Sequence, residues 1–207
     1  MDDKNTTKYT VGIDEVGRGP IAGPVAVAAF QLLSTNYQLL VEKAKEELKI
    51  PLRDSKKLSK KQRETWFKFL KKQKEEGNCN YVISFVSSEN IDKFGIAKCI
   101  QKALNKSLTD LKLNPEEVSV FLDGGLHAPS EYINQETIIK GDELHPVISM
   151  ASIVAKVSRD RIMTNYAKEY PEYGFENHSG YGTKAHYGAV KIHGQSPIHR
   201  KSFIHNK

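Results

Sequence analysis

Cysteine is scarce in this chain of 207 residues: Cys79 and Cys99 stand alone, outside any Cys-x-x-Cys spacing. Two such thiols exclude a disulfide scaffold, a cysteine zinc site and a thioredoxin-like redox pair, and they fit a reducing compartment. Long apolar runs are missing as well. No segment approaches the ~20 apolar residues of a membrane span, and Met1 to Lys8 lack the apolar core of a signal peptide. The expectation is therefore a soluble, cytoplasmic protein with no membrane partner. Internal repeats, low-complexity tracts and linkers long enough to separate domains are also lacking. Residues 1–8 read as a flexible tail and 9–207 as a single domain with a full core. With 39% hydrophobic and 27% charged residues, the composition is that of an ordinary globular protein rather than a disordered one. The formal net charge of +6 favours a polyanionic partner without naming it.

What is there is organised around residues 11–30. Val11-Gly12-Ile13 opens an apolar strand that ends in two adjacent acids, Asp14 and Glu15. A glycine-flanked turn, Gly17-Arg18-Gly19, leads on to the Val- and Ala-rich run 25–30, a second buried strand. Neighbouring strand side chains point to opposite faces, so both acids can share one pocket only if the strand bulges or turns there. Two acids beside a glycine turn suggest a divalent cation next to backbone amides that something anionic can approach. The plain alternative is a hairpin with a polar tip.

Further along, residues 37–49 carry a helical apolar pattern that Pro51 stops, and Ser59 caps a helix over about 60–76 that buries Trp66, Phe67 and Leu70. In the loop before that cap, Ser55 and Lys56 offer a hydroxyl and an ammonium that can grip a phosphate, although Asp54 and Ser55 would equally well close a turn. Residues 81–86 read as a third strand, after which Ser88 to Ile91 begin a short helix that Gly95 interrupts and 96–111 continue as another. Val118 to Leu122 is a fourth strand, delivering Asp123 at its end. Glu136 to Lys140 is a fifth, followed by Gly141 and Asp142. His145 to Tyr170 is apolar on most sides and belongs inside, against the sheet. Within it, Asp160 reaches the site or pairs with an arginine one turn away. Tyr181, between two glycines, has a ring free to stack on a sugar or base.

Three strands thus each deliver acids at an end: Asp14 with Glu15, Asp123, and Asp142. Crowded carboxylates repel one another, and hard cations such as Mg²⁺ or Mn²⁺ are the usual reason to tolerate that. All-oxygen ligands argue against structural zinc. Two such ions about 4 Å apart can serve both the attacking water and the leaving oxygen of a phosphodiester, which points to a nuclease.

The motifs 12–20, Asp54-Ser55-Lys56-Lys57-Leu58-Ser59, Leu122-Asp123-Gly124, Lys140-Gly141-Asp142, 151–161, 178–186 and Pro197-Ile198-His199-Arg200 occur in an order that resembles the type 2 ribonucleases H, the bacterial ribonuclease HII family. The likeness runs from about Tyr9 to Phe203. It implies an α/β ribonuclease H-like fold, a mixed five-stranded sheet flanked by helices. It also implies an endonuclease, a hydrolase acting on RNA–DNA hybrids and on duplex DNA containing single ribonucleotides, in ribonucleotide excision repair and DNA replication. The cut falls 5′ to the ribonucleotide by a two-metal mechanism and leaves a 3′-hydroxyl and a 5′-phosphate. By motif position Asp14, Glu15, Asp123 and Asp142 are the catalytic, metal-binding carboxylates, for Mg²⁺ or Mn²⁺, two ions with substrate bound. Gly17, Arg18 and Gly19 contact the ribonucleotide and read its 2′-hydroxyl. Tyr181 stacks on the sugar at the RNA–DNA junction, Ser55 and Lys56 hold backbone phosphates, and Asp160 supports the site from behind.

Two departures from the family pattern bear on substrate grip: Ser179 replaces a basic residue common before the Gly-Tyr pair, and the chain stops soon after Phe203. The related ribonuclease HIII type is disfavoured, since it carries an N-terminal domain and lacks the Gly-Arg-Gly turn. A monomer is expected, and the sequence is silent on a clamp protein as partner. The competing readings are a catalytically silent hybrid-binding protein and another nuclease of the same fold.

Overall fold

The structure is a computed structural model that describes residues 7–204; residues 1–6 of the expected tail lie outside the described residues. The five strands β1 (Tyr9–Val16), β2 (Val25–Leu33), β3 (Asn80–Val86), β4 (Val118–Asp123) and β5 (Gln135–Ile138) form one sheet in the order β3-β2-β1-β4-β5. The pairs β1/β2 and β2/β3 are antiparallel, and β1/β4 and β4/β5 are parallel. This is the mixed five-stranded sheet that the resemblance implied.

Strand alternation sorts the core into two layers. On β2, Ala26, Ala28 and Phe30 face one side, where α1 (Tyr37–Leu48), α2 (Lys60–Glu75) and α6 (Pro146–Glu169) pack. Val25, Val27 and Ala29 face the other side, against α3 (Ser88–Phe94) and α4 (Ile96–Asp110). Since β2 is apolar on both faces it is covered on both, and all six residues are fully buried. The helix starts are set by local chemistry: Ser59 and Gln62 form a capping box at α2, and Pro146 opens α6.

Helix α6 lies directly across β1. Gly12 has no side chain because a Cβ there would overlap the Val147 carbonyl group. That close approach brings Ser152 of α6 up to the C-terminal end of β1. A third apolar cluster, Ala22, Met163, Tyr173, Phe175 and Ile198, ties the C-terminal region to the far half of α6. This region holds the short α7 (Phe175–His178) and α8 (Lys184–His193). Among the described residues no helix is long and apolar enough to cross a membrane.

Gly12→Ala should force β1 and α6 apart and destabilise the protein by about 3 kcal/mol, an overpacking cost. A lower urea midpoint at unchanged slope would bear this out, and an unchanged midpoint would not.

Candidate active site

Because β1 and β4 run parallel, their C-terminal ends meet at one edge of the sheet. Their last pair is Ile13 with Leu122. One residue further on, Asp14 and Asp123 emerge side by side, and one carboxylate oxygen from each of Asp14, Glu15 and Asp123 lies within 4.8 Å of the other two. Of the two alternatives, a bulge or a turn, no bulge is present: β1 keeps its register with β2 through Val16 and Ala26, and the chain turns at Gly17. The strand has outrun β4, so its open end lets both side chains close on the same space. Asp14 accepts the Glu15 backbone N–H at 2.8 Å and lies against Ser152. Glu15 Oε1 is 3.0 Å from Arg18 Nη2, while its Oε2 is buried and has no hydrogen-bond partner.

Asp142 arrives by a different route from the one expected. Strand β5 stops at Ile138, Lys140 turns through the left-handed region (φ 58°), and Asp142 sits in the first turn of the short helix α5 (Gly141–Leu144). Its backbone N–H donates to Asp123 Oδ1 at 3.4 Å, and its Oδ2 is 3.8 Å from Lys56 Nζ. It therefore borders the three-oxygen group without joining it.

The electrostatics follow from crowding in a dry place. Burial, reinforced by Glu15, Asp123 and Asp142, holds the Asp14 carboxyl well above its ordinary range. Burial also lifts Glu15, against the pull of Arg18. Burial together with Asp123 and Asp54 pushes Asp142 up to about 6. Burial pulls the Lys56 ammonium down, but Asp54, Asp142, Asp14 and Asp123 outweigh it and raise its pKa. Three carboxylates, one of which keeps a buried oxygen without a partner, with no Cys or His among them, fit a hard divalent cation.

Other residues singled out in the sequence fall around this edge. Gly17 has φ +90°, and a Cβ on it would overlap the Arg159 guanidinium. Arg18 and Gly19 are exposed. The expected pairing of Ser55 and Lys56 is divided: Lys56 projects outward, but Ser55 is buried with its Oγ bonded to Ser152 at 2.8 Å. The start of its 3₁₀ turn is taken as well, since the Lys56 N–H donates to Asp54. Asp160 does not reach the acids, nor does it pair with an arginine one turn away. It bonds Lys156 at 2.8 Å and approaches Arg63 of α2 at 3.9 Å.

Tyr181 is partly exposed beside a cavity of about 250 Å³ lined by Lys60, Arg63, Lys156, Asp160 and Ser179. Lys156 Nζ is 5.9 Å from the Tyr181 ring centre. Of the three cations here, Lys60 and Arg63 belong to α2 and Lys156 to α6, helices far apart in the sequence. Only the approach of α2 to α6 gathers them.

Comparison with known proteins gives a consistent result. The family model described as Ribonuclease HII matches residues 11–206. Ribonuclease HII of Endomicrobium trichonymphae is 44% identical over 175 residues, covering 84% of this chain and 75% of the relative. Among solved structures, the PCNA:RNase HII complex from Archaeoglobus fulgidus contains a chain with a TM-score of 0.72 at 24% identity, 96% of each chain being covered. The ribonuclease H2 from Pyrococcus horikoshii OT3 gives 0.67 at 25% identity, covering 94% of this chain and 93% of its own.

In the metal-free protein Asp14, Glu15 and Asp142 bind protons more tightly folded than unfolded. Their contribution therefore rises as pH falls from 7 through the Asp142 value of about 6. Asp14→Asn, which keeps the oxygen that accepts the Glu15 N–H, should melt at a higher temperature than wild type in EDTA at neutral pH. It should also lose the rise in melting temperature that Mg²⁺ or Mn²⁺ gives the wild type. Equal melting in EDTA, or an undiminished response to metal, would contradict this account of the cluster.

Proposed function

The chain belongs to the ribonuclease HII family, and from that membership we propose that it is an endonuclease cutting duplexes on the 5′ side of a ribonucleotide, in RNA–DNA hybrids and at single ribonucleotides embedded in DNA. The observation that carries this reading is the convergence of Asp14, Glu15 and Asp123, with one buried carboxylate oxygen left without a partner. In this reading those three residues hold Mg²⁺ or Mn²⁺, a pair of ions when substrate is bound, and Asp142 completes the set from beside Lys56. The cation supplies positive charge that polarises the scissile phosphate and favours ionisation of the attacking water.

The protein's own groups do the rest. A water oxygen attacks phosphorus, the bond from phosphorus to the upstream O3′ breaks, and a 3′-hydroxyl and a 5′-phosphate remain. Lys56, exposed beside Asp142, adds a positive charge for the phosphate path. Gly17, Arg18 and Gly19 form the turn that meets the ribose, whose 2′-hydroxyl separates RNA from DNA, with Arg18 and Gly19 exposed and Gly17 buried beneath them. Arg18 also neutralises one oxygen of Glu15 at 3.0 Å. Tyr181 presents its ring to the neighbouring sugar, and the cations of the adjoining cavity continue the backbone path. Asp160 keeps Lys156 and Arg63 in place there. Four intact acids favour hydrolysis over a silent binder, because a binder gains nothing from their mutual repulsion.

An end-labelled DNA duplex with one ribonucleotide should be cut once, 5′ to that residue, with Mg²⁺ or Mn²⁺ and not with EDTA, beside an uncut all-DNA control. Binding without cutting would favour the silent binder, and equal cutting of the control another nuclease of this fold. Tyr181→Ala should lower kcat/KM on this substrate roughly tenfold, the worth of one stacking contact. An unchanged value would remove the ring from the account.

A further inference from the structure

Resting on the reading that the Gly-Arg-Gly turn and Tyr181 touch the ribonucleotide, a second feature of the structure bears on how the two are held. Arg200 and Arg159 are both fully buried, and among the described residues neither has a carboxylate partner. Burying an unpaired guanidinium is costly, so the acceptors that compensate it are informative. Every one is a backbone carbonyl in the loops around the site. Arg200 donates from Nη2 to Gly17 O at 2.7 Å, from Nη1 to Arg18 O at 3.1 Å and from Nε to Gly23 O at 2.9 Å. Arg159 donates to the carbonyls of Pro24, Ser179 and Ala22 at 2.8, 2.8 and 3.2 Å.

The Arg200 contacts have a geometric consequence. In a trans peptide the C=O and the following N–H point in opposite directions. With the Gly17 and Arg18 carbonyls drawn inward to one planar fork, the N–H groups of Arg18 and Gly19 must face outward. Among the described hydrogen bonds neither has an acceptor, and both residues are exposed.

The residue before Arg200 holds the other loop. His199 Nδ1 accepts the Ser196 N–H at 2.9 Å, which puts its proton on Nε2. That proton is donated to His186 Nε2 at 3.0 Å, so His186 carries its own on Nδ1 and donates to the Tyr181 carbonyl at 2.9 Å. The chain of bonds has one neutral proton arrangement that satisfies every member, and it ends on the residue whose ring faces the substrate.

We propose that Arg200 and His199 are positioning residues: as one rigid segment they fix the spacing between the outward amides of Arg18 and Gly19 and the Tyr181 ring, and this spacing sets discrimination between ribonucleotide and deoxynucleotide. Neither side chain touches substrate. A merely structural residue would, when replaced, weaken binding to every duplex alike. A positioning residue weakens only the preference.

The test compares binding of wild type, Arg200→Lys and His199→Asn to a duplex with one ribonucleotide and to the all-DNA duplex, by fluorescence anisotropy without divalent metal. Lysine keeps the charge but ends in one nitrogen that cannot bridge the carbonyls. Asparagine Oδ1 still accepts the Ser196 N–H but is too short for His186. The ratio of the two affinities should fall about tenfold in each variant, with all-DNA binding within about twofold of wild type. A wild-type ratio in variants whose circular dichroism shows them folded overturns the proposal, as does an equal loss on both duplexes. Should Arg200→Lys fail to fold, His199→Asn decides alone. Absence of any preference in the wild type is a different result, and it would remove the proposed function on which the brace rests.

Discussion

The repulsion among Asp14, Glu15 and Asp123 is the constraint on which the rest of this structure bears. Three carboxylates at one sheet edge are unfavourable in a dry environment, and the fold pushes them together by means that cannot easily relax. The parallel register of β1 and β4 fixes which residues emerge side by side. The contact of α6 across Gly12 closes the edge from one face, and Lys56 and Arg18 stand at its rim. A sheet that merely needed stability would place apolar or neutral residues there. The arrangement makes sense as stored electrostatic demand for a cation.

Much of this was legible in the sequence, for identifiable reasons. Strands 25–30 and 118–122 announce themselves as short apolar runs bounded by glycine or proline, and the helix after His145 by its lack of a polar face. Asp14, Glu15 and Asp123 could be placed because each ends a strand, and strand ends are what a sheet edge is made of. The route of Asp142 was not legible: a lysine in the left-handed region gives no local signal.

The contacts made by Arg200 and His199 were not legible for a different reason. Both residues sit in a basic stretch that reads as a loop. Their acceptors, the carbonyls of residues 17, 18 and 23 and the ring of His186, are distant in sequence and are backbone or neutral groups. No pattern of charges or apolar spacing encodes such contacts. The contact of Ser55 was hidden similarly, because its partner Ser152 is supplied by α6. The motifs that carry the family likeness thus include residues that hold loops, beside the acids gathered at the sheet edge.

The most direct test of the central claim is a calorimetric titration of the metal-free protein with Mg²⁺ or Mn²⁺, in buffers of different ionisation enthalpy, near the pH of about 6 at which Asp142 titrates. Saturable binding should be accompanied by net release of protons to the buffer, because a cation at this edge must displace protons that burial and neighbouring carboxylates hold on Asp14, Glu15 and Asp142. Binding with no proton release, or no binding at all, would contradict the claim.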